Sequence, residues 1–214
     1  MSDDSVVKTV ATYDTIADQY AVALNAYTPA ADRELFLTYL QPHSKILDVG
    51  CAAGRDSIFF TQHGHVTTGI DMSEKLLEIA RQKAPGLTFI NKDIRGKSFP
   101  DSFFDAIWAS AVLLHLKRKE VLPVLKNFYL LLQPGGIVYV SVKQGKGSAD
   151  VAEELSNNVK RHFTYFMPDE LSKVFMQAGF TVEKVFSSNE KDRAPGLRDI
   201  WWVSLIAPKG EKIL

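Results

Sequence analysis

The chain has a single cysteine, Cys51, among its 214 residues. No disulfide can form within it, and that composition fits a reducing compartment. It carries no net charge, because 25 Lys and Arg are matched by 25 Asp and Glu. No global field therefore draws it to nucleic acid or to an anionic membrane. No apolar run is long enough to cross a bilayer: the longest, Ala106 to Leu116, is short and broken by Ser110 and His115. Met1-Ser2-Asp3-Asp4 lacks the basic-then-apolar order of a secretory signal. Internal repeats and low-complexity tracts are absent too. These absences predict a soluble, cytoplasmic protein, monomer or homodimer, with neither nucleic acid nor membrane as partner. Apolar residues are plentiful, at 46%, which is enough for one domain with a sizeable core.

The most informative stretch runs from Lys45 to Asp56. Apolar Ile46-Leu47 lead to Asp48-Val49, then to the small residues Gly50, Cys51, Ala52, Ala53 and Gly54, then to Ser57-Ile58-Phe59-Phe60 with helical character. This is a buried strand, a turn almost without side chains, and a helix start. Such a turn lets a ligand lie on the backbone, against the free N–H groups of the helix N-terminus. Asp48 argues against a pyrophosphate, which a carboxylate would repel, and favours a ligand bearing an ammonium or sulfonium. The dinucleotide spacing G-x-G-x-x-G also fails, since Ala52 and Arg55 stand where glycines are needed.

Around that stretch the chain alternates helix and strand. Val10, Tyr13, Ala17, Tyr20 and Leu24 recur at steps of three and four, which predicts an amphipathic helix over 5–24. A second helix over 31–40 stops before Pro42. Strands are expected over 45–50, 65–71, 87–91, 104–110 and 137–142, with helices over 55–63, 74–84 (Ser73 as N-cap) and 119–132 between them. Residues 144–167 are longer than an ordinary α/β connection, polar at first and then basic and aromatic, and such insertions serve a site or move. Pro168 opens another helix, with the poor capper Met167 before it and Gly179 at its end. Two final strands, 180–187 and 199–207, lack a crossover helix and must pair antiparallel. The reading is an α/β fold. A doubly wound, mostly parallel seven-stranded sheet, Rossmann-like, ends in an antiparallel hairpin and carries an N-terminal helical cap. Divided by role, 1–42 is the cap and 43–143 the core, 144–179 a lid or acceptor segment with its helix, and 180–208 the hairpin.

Asp48, Gly50, Ala52 and Gly54 resemble the acid-x-Gly-x-Gly-x-Gly motif of class I S-adenosylmethionine-dependent methyltransferases, with alanine at the middle glycine. Tyr13-Asp14-x-x-Ala17-x-x-Tyr20 resembles the cap helix that small-molecule members lay over the cofactor. The block from Phe104 through His115 to Pro134-Gly135-Gly136 resembles the same group. The resemblance implies S-adenosyl-L-methionine as cofactor, held by Tyr20, Asp48, Gly50, Cys51, Ala52, Gly54, Asp71, Met72, Asp93, Ile94 and Ala109. Asp71 would take the ribose hydroxyls and Asp93 the adenine amine. His115 and Tyr13 become the catalytic candidates, with His115 as base. Arg161, His162, Tyr165 and Trp108 become candidates for binding the acceptor, with Arg193 and Arg198 at the rim. Solvated surface is the other reading of the basic residues, and core packing that of the tyrosines. Of Trp201 and Trp202, adjacent on a strand, at most one can line a site.

Absences narrow the acceptor. No Asn/Asp-Pro-Pro-aromatic tetrapeptide follows the fourth strand, as base-methylating enzymes have, and residues 106–119 hold no pair of glutamates, as arginine methyltransferases require. No metal site is readable. The expectation is methyl transfer to a small metabolite, anionic ones included, through nitrogen, oxygen or sulfur. The alternatives are a catalytically silent cofactor-binding regulator and a nicotinamide-dependent oxidoreductase.

Overall fold

The computed structural model describes residues 5–25, 27–96, 99–153, 158–192 and 196–210. The predicted first helix is two: α1 (Ser5–Thr15) and α2 (Ala17–Ala23), broken at Ile16 and followed by α3 (Ala30–Leu37). The core then alternates β1 (Lys45–Val49), α4 (Arg55–Gln62), β2 (Val66–Asp71), α5 (Glu74–Lys83), β3 (Thr88–Asn91) and β4 (Phe104–Ser110). After a single 3-10 turn, Leu113–His115, come α6 (Arg118–Leu131) and β5 (Leu132–Lys143). Ser73 caps α5 as expected, its side chain accepting from Leu76 N–H. Strand β5 starts earlier than its sequence suggests. Pro134-Gly135-Gly136 forms an irregular register between its first pairing, Phe104 with Leu132, and its second, Ala106 with Ile137.

The insertion after β5 is a two-stranded antiparallel hairpin, β6 (Ser148–Ala152) and β7 (Lys160–Thr164). Strand β6 is largely exposed, so it lacks the alternation that would betray a strand, and β7 is carried by its packing against α1 and the 3-10 turn. Helix α7 (Pro168–Gln177) has Met167 at its N-cap, and the Glu170 carboxylate accepts from Met167 N–H at 3.1 Å in place of a capping side chain. The chain closes with β8 (Lys184–Asn189), a 3-10 turn at Glu190–Asp192, and β9 (Trp201–Pro208).

The main sheet runs β3-β2-β1-β4-β5-β9-β8, parallel through β5 and antiparallel in its last two strands. Alternation divides its residues cleanly between two cores. Ile46, Ala106, Trp108, Ile137, Tyr139 and Ile206 pack with Phe36 and Phe60 under α3 and α4. Leu47, Val49, Ile107, Ala109, Val138, Val140 and Leu205 pack on the other face with residues of α6 and α7. The strand ends of β1, β2, β4 and β5 open together at the carboxyl edge, beneath α1 and α2, where open α/β sheets bind ligands.

Candidate functional site

A cavity of about 180 Å³ lies at that edge, an order of magnitude more than the roughly 10–15 Å³ that one water needs. It has room for a ligand and is too large for a packing void.

One end is built from the turn after β1. Gly50 has φ +68°, and a Cβ there would sit 2.8 Å from Val112 Cγ2, so both backbone and space demand glycine. Ala52 adopts φ +48°, a conformation that costs a non-glycine residue about 1–2 kcal/mol. The Asp71 carboxylate holds that strain: one oxygen accepts from Ala52 N–H at 2.9 Å, the other from Ser73 N–H at 2.8 Å. Asp71 thus stitches the β1–α4 turn to the start of α5 and also lines the cavity. Asp48 is buried, accepts from Ser57 Oγ–H at 2.5 Å, and has its pKa pushed up to about 8, by burial first and then by the negative charge of Asp56. A cation placed beside it would restore its charge.

Asp56 is the anchor of this end. Its carboxylate accepts from Arg55 Nε and Nη2 at 2.9 and 2.8 Å, from Arg33 Nη1 at 3.3 Å and from the Trp108 indole N–H at 3.0 Å. These cations hold its pKa below the usual carboxylate value against its burial. Arg55 also donates to the Leu24 carbonyl at 2.9 Å, tying down the end of α2, and Ser73 Oγ–H donates to Asp14 at 2.6 Å, tying down α1.

The middle of the cavity holds Tyr13, His115 and Arg161. The His162 carbonyl lies 2.9 Å from His115 Nδ1. A carbonyl only accepts, so Nδ1 carries the proton and Nε2 accepts the Tyr13 hydroxyl at 3.0 Å. Arg161 Nη1 donates to the same tyrosine oxygen at 2.5 Å, and Tyr20 packs against the Tyr13 ring, centroids 4.8 Å apart. Burial, then the Arg161 charge, brings the His115 pKa down to about 3, so the imidazole is neutral at physiological pH. Burial also pushes the Tyr13 phenol well up.

The far end is ionic. Arg161 Nη2 pairs with Glu153 at 2.7 Å, Lys143 pairs with the same carboxylate, and Arg198 approaches it at 3.5 Å. Arg198 also grips Glu190 with two nitrogens at 2.7 and 2.9 Å, and the Trp202 indole donates to Glu190 at 3.1 Å. The Phe163 ring lies under Lys143 Nζ at 3.8 Å from its centroid.

Most of the residues expected at the site do line it: Tyr13, Tyr20, Asp48, Gly50, Cys51, Ala52, Asp71, Met72, Asp93, Ile94, His115 and Arg161. Asp93 is committed to Arg95, whose Nη2 reaches it at 2.7 Å. Five do not line it. Trp108 is fully buried on the α3–α4 face and reaches the cavity only through Asp56, because β4 alternation turns it there. Ala109, one residue on, faces the opposite core, and its neighbours Ser110 and Ala111 line the space. Gly54 starts α4 with φ +78°, and a Cβ on it would meet the Phe89 ring at 2.9 Å, so its role is close packing. On β7 the strand period sends Arg161 and Phe163 inward and His162 outward, where it bonds Asp150 at 2.9 Å, and Tyr165 lies beyond the rim. Arg198 and Trp202 line the site, Trp201 is half exposed, and Arg193 lies outside the described residues. Sequence reasoning missed Arg55, Asp56, Lys143, Glu153 and Glu190. Lys143 had a signal, a charge ending a buried strand, whereas the two glutamates had none.

Residues 46–136 match the family model described as a methyltransferase domain. The chain carries a methyltransferase domain. Phosphoethanolamine N-methyltransferase 1 of Zea mays is 30% identical to it over 148 residues, which make up 66% of this chain and 29% of the maize protein. The chain therefore spans less than a third of that relative's length. A SAM-dependent methyltransferase of Methanosarcina mazei superposes on this domain with a TM-score of 0.73 at 22% identity, covering 83% of this chain and 98% of that one. The 1,6-didemethyltoxoflavin-N1-methyltransferase of Burkholderia thailandensis, solved with 1,6-didemethyltoxoflavin and S-adenosylhomocysteine, gives 0.75 at 20% identity over 99% of this chain and 92% of that one. At these identities the two structures establish the shared fold of the domain.

Proposed function

We propose that this methyltransferase domain takes a methyl group from S-adenosylmethionine and passes it to a small, negatively charged acceptor. The observation that carries the reading is the polarity of one cavity. Asp48, Asp71, the Arg55–Asp56 pair and a bare backbone turn form one end. At the other, Lys143, Arg161 and Arg198 outnumber Glu153 and Glu190 among the described residues and sit with aromatic rings, with Tyr13 and His115 between the two. The cradle at Gly50 and the protonated, buried Asp48 fit a ligand with a flat contact and a positive charge. Asp71 opposes the pyrophosphate of a nicotinamide dinucleotide, and the neutral Asp48 and the Arg-paired Asp56 offer it no free cation. Asp71 keeps lone pairs for ribose hydroxyls beyond the two backbone bonds it already accepts.

The cofactor supplies an activated methyl on a sulfonium, so the chain need only align the acceptor, exclude water and manage a proton. Holding the acceptor in line can itself account for about 7–11 kcal/mol of barrier lowering. Arg161 and Lys143 hold the acceptor's negative charge. The Tyr13 oxygen, which donates to His115 and accepts from Arg161, keeps a lone pair for the attacking group. His115 becomes a better proton acceptor when an anion offsets Arg161, the second cause of its low pKa. The maize relative is named for phosphoethanolamine, an amine bearing a phosphate, and an acceptor of that kind matches both ends of this chemistry.

Calorimetric titration with S-adenosylhomocysteine, followed by an acceptor screen that reads S-adenosylhomocysteine release, tests the proposal. Saturable binding and turnover confined to small anionic acceptors are expected. Absence of binding, or tight binding of NADH, would sink it.

A further inference from the structure

The ionic end holds a carboxylate that the methyl-transfer reading does not use. Three cations, Lys143, Arg161 and Arg198, converge on Glu153. Glu190, the other carboxylate facing this end among the described residues, is locked by two bonds from Arg198 and one from Trp202, and its side chain is 1% exposed. Glu153 is 14% exposed and follows β6, the largely exposed strand of the hairpin, so it is the carboxylate with a path to water. Arg161, 3% exposed, keeps a buried Nε–H with no partner among the described residues. Burial lowers the Lys143 pKa even with Glu153 beside it. Lys143 and Arg161 are thus only partly satisfied by the groups around them.

We infer that the Glu153 carboxylate occupies the seat of the acceptor's own anionic group, and that Glu153 selects acceptors by requiring a group able to displace it. This rests on the acceptor end receiving an anion, and it adds the class of that anion. With Glu153 swung out, three cations face the single charge of Glu190 among the described residues, which leaves two positive charges. A carboxylate arriving there offsets one of them and only replaces what left. A dianionic phosphate monoester offsets both, and its three terminal oxygens can each take a donor. The seat is therefore one for a phosphate monoester.

The test uses the full chain and inorganic phosphate, titrated at low ionic strength and slightly alkaline pH, with acetate as the monoanionic control. Wild type should bind phosphate weakly, and Glu153→Gln should bind it about tenfold or more tightly, once a like charge no longer competes for the seat. Acetate should gain less. Adding Lys143→Met to Glu153→Gln should cancel the gain. Glu153→Asp keeps the charge but withdraws it by one methylene, and it should fall between wild type and Glu153→Gln. It carries the test if the glutamine variant does not fold. Equal phosphate affinity in wild type and in the folded variants overturns the inference. So does an acetate gain as large as that of phosphate. Titrating S-adenosylhomocysteine on the same samples separates the two readings. A phosphate gain without S-adenosylhomocysteine binding keeps the seat and removes methyl transfer. Binding of S-adenosylhomocysteine with no phosphate gain does the reverse.

Discussion

The two ends of the cavity are built by different means. At the cofactor end, residues 48–57 and Asp71 supply the cradle. The partners of Asp48 and Asp71 are Ser57 and backbone N–H groups close in the chain or in register, while Asp56 alone reaches far, to Arg33 and Trp108. At the acceptor end the charges come singly, Lys143 from β5, Glu153 after β6, Arg161 from β7, Glu190 after β8 and Arg198 before β9, with Tyr13 of α1 and Trp202 of β9 beside them, and the contacts join distant parts of the chain. The Arg161 bond to Tyr13 spans 148 residues and the Tyr13 bond to His115 spans 102. A turn that cradles a ligand by its backbone is a local invention, stiff and specified by a few small residues. A charged seat for an acceptor is assembled only when the sheet closes, and each of its members can be exchanged singly. Chemistry shared across a family suits the first kind of construction, and substrate choice suits the second.

The largest expected effect tests the stiffness of the cofactor end. Gly50→Val places a β-branched side chain at φ +68° and against Val112, and should cost about 3 kcal/mol or more in urea unfolding, with loss of S-adenosylhomocysteine binding. Lys143→Met, at the other end, should leave that binding unchanged. If both variants damaged cofactor affinity alike, the division between the ends would be wrong.

A smaller effect tests how the acceptor end is wired. Both His115 and Arg161 act on the Tyr13 oxygen, so His115→Ala and Arg161→Ala should each reduce turnover, roughly 10²-fold for His115→Ala, with cofactor affinity intact. Arg161→Ala should also raise the Michaelis constant for anionic acceptors. Because the two share a partner, the double variant should fall short of the product, by a coupling of about 0.5–3 kcal/mol. Strict additivity would show that the tyrosine oxygen does not link them.

The smallest effect sharpens the comparison through pH. The folded pKa of Asp48 is raised from 3.8 to about 8, so the unfolded chain gives up that proton first and the empty protein loses stability as pH rises from about 4 to about 8. The folded pKa of His115 is lowered from 6.5 to about 3, so the unfolded chain takes up a proton first and stability is lost as pH falls from about 6.5 to about 3. The two ends therefore tilt the stability profile in opposite directions. Asp48→Asn should flatten the alkaline side and His115→Gln the acid side, as read by urea midpoints across pH. Cofactor binding near neutral pH should release a proton from Asp48, seen as a dependence of the binding heat on buffer ionisation. If Asp48→Asn leaves the alkaline slope unchanged, that carboxyl is not the group that titrates.

The sequence by itself determined the alternation of strands and helices, the antiparallel finish of the sheet, and the position of the turn at Gly50. Each depends on neighbours within a few residues: apolar period, a small-residue turn, an acid at a strand end. It also brought Tyr13, His115 and Arg161 forward as chemistry-bearing residues without saying that they meet. Only the tertiary structure decided that. Strand period says that Trp108 and Ala109 face opposite ways, and that Arg161 and His162 do. Which face is core and which is cavity depends on the helices that cover them, and that choice put Trp108 under α3 and α4. The 144–167 segment became a hairpin through packing on α1 and not through its own pattern, since an exposed strand needs no apolar alternation. Glu153 and Glu190 are unmarked acids along the chain. They become part of the site because folding buries Lys143 and Arg161 beside the half-buried Arg198, and buried charge must find a partner there.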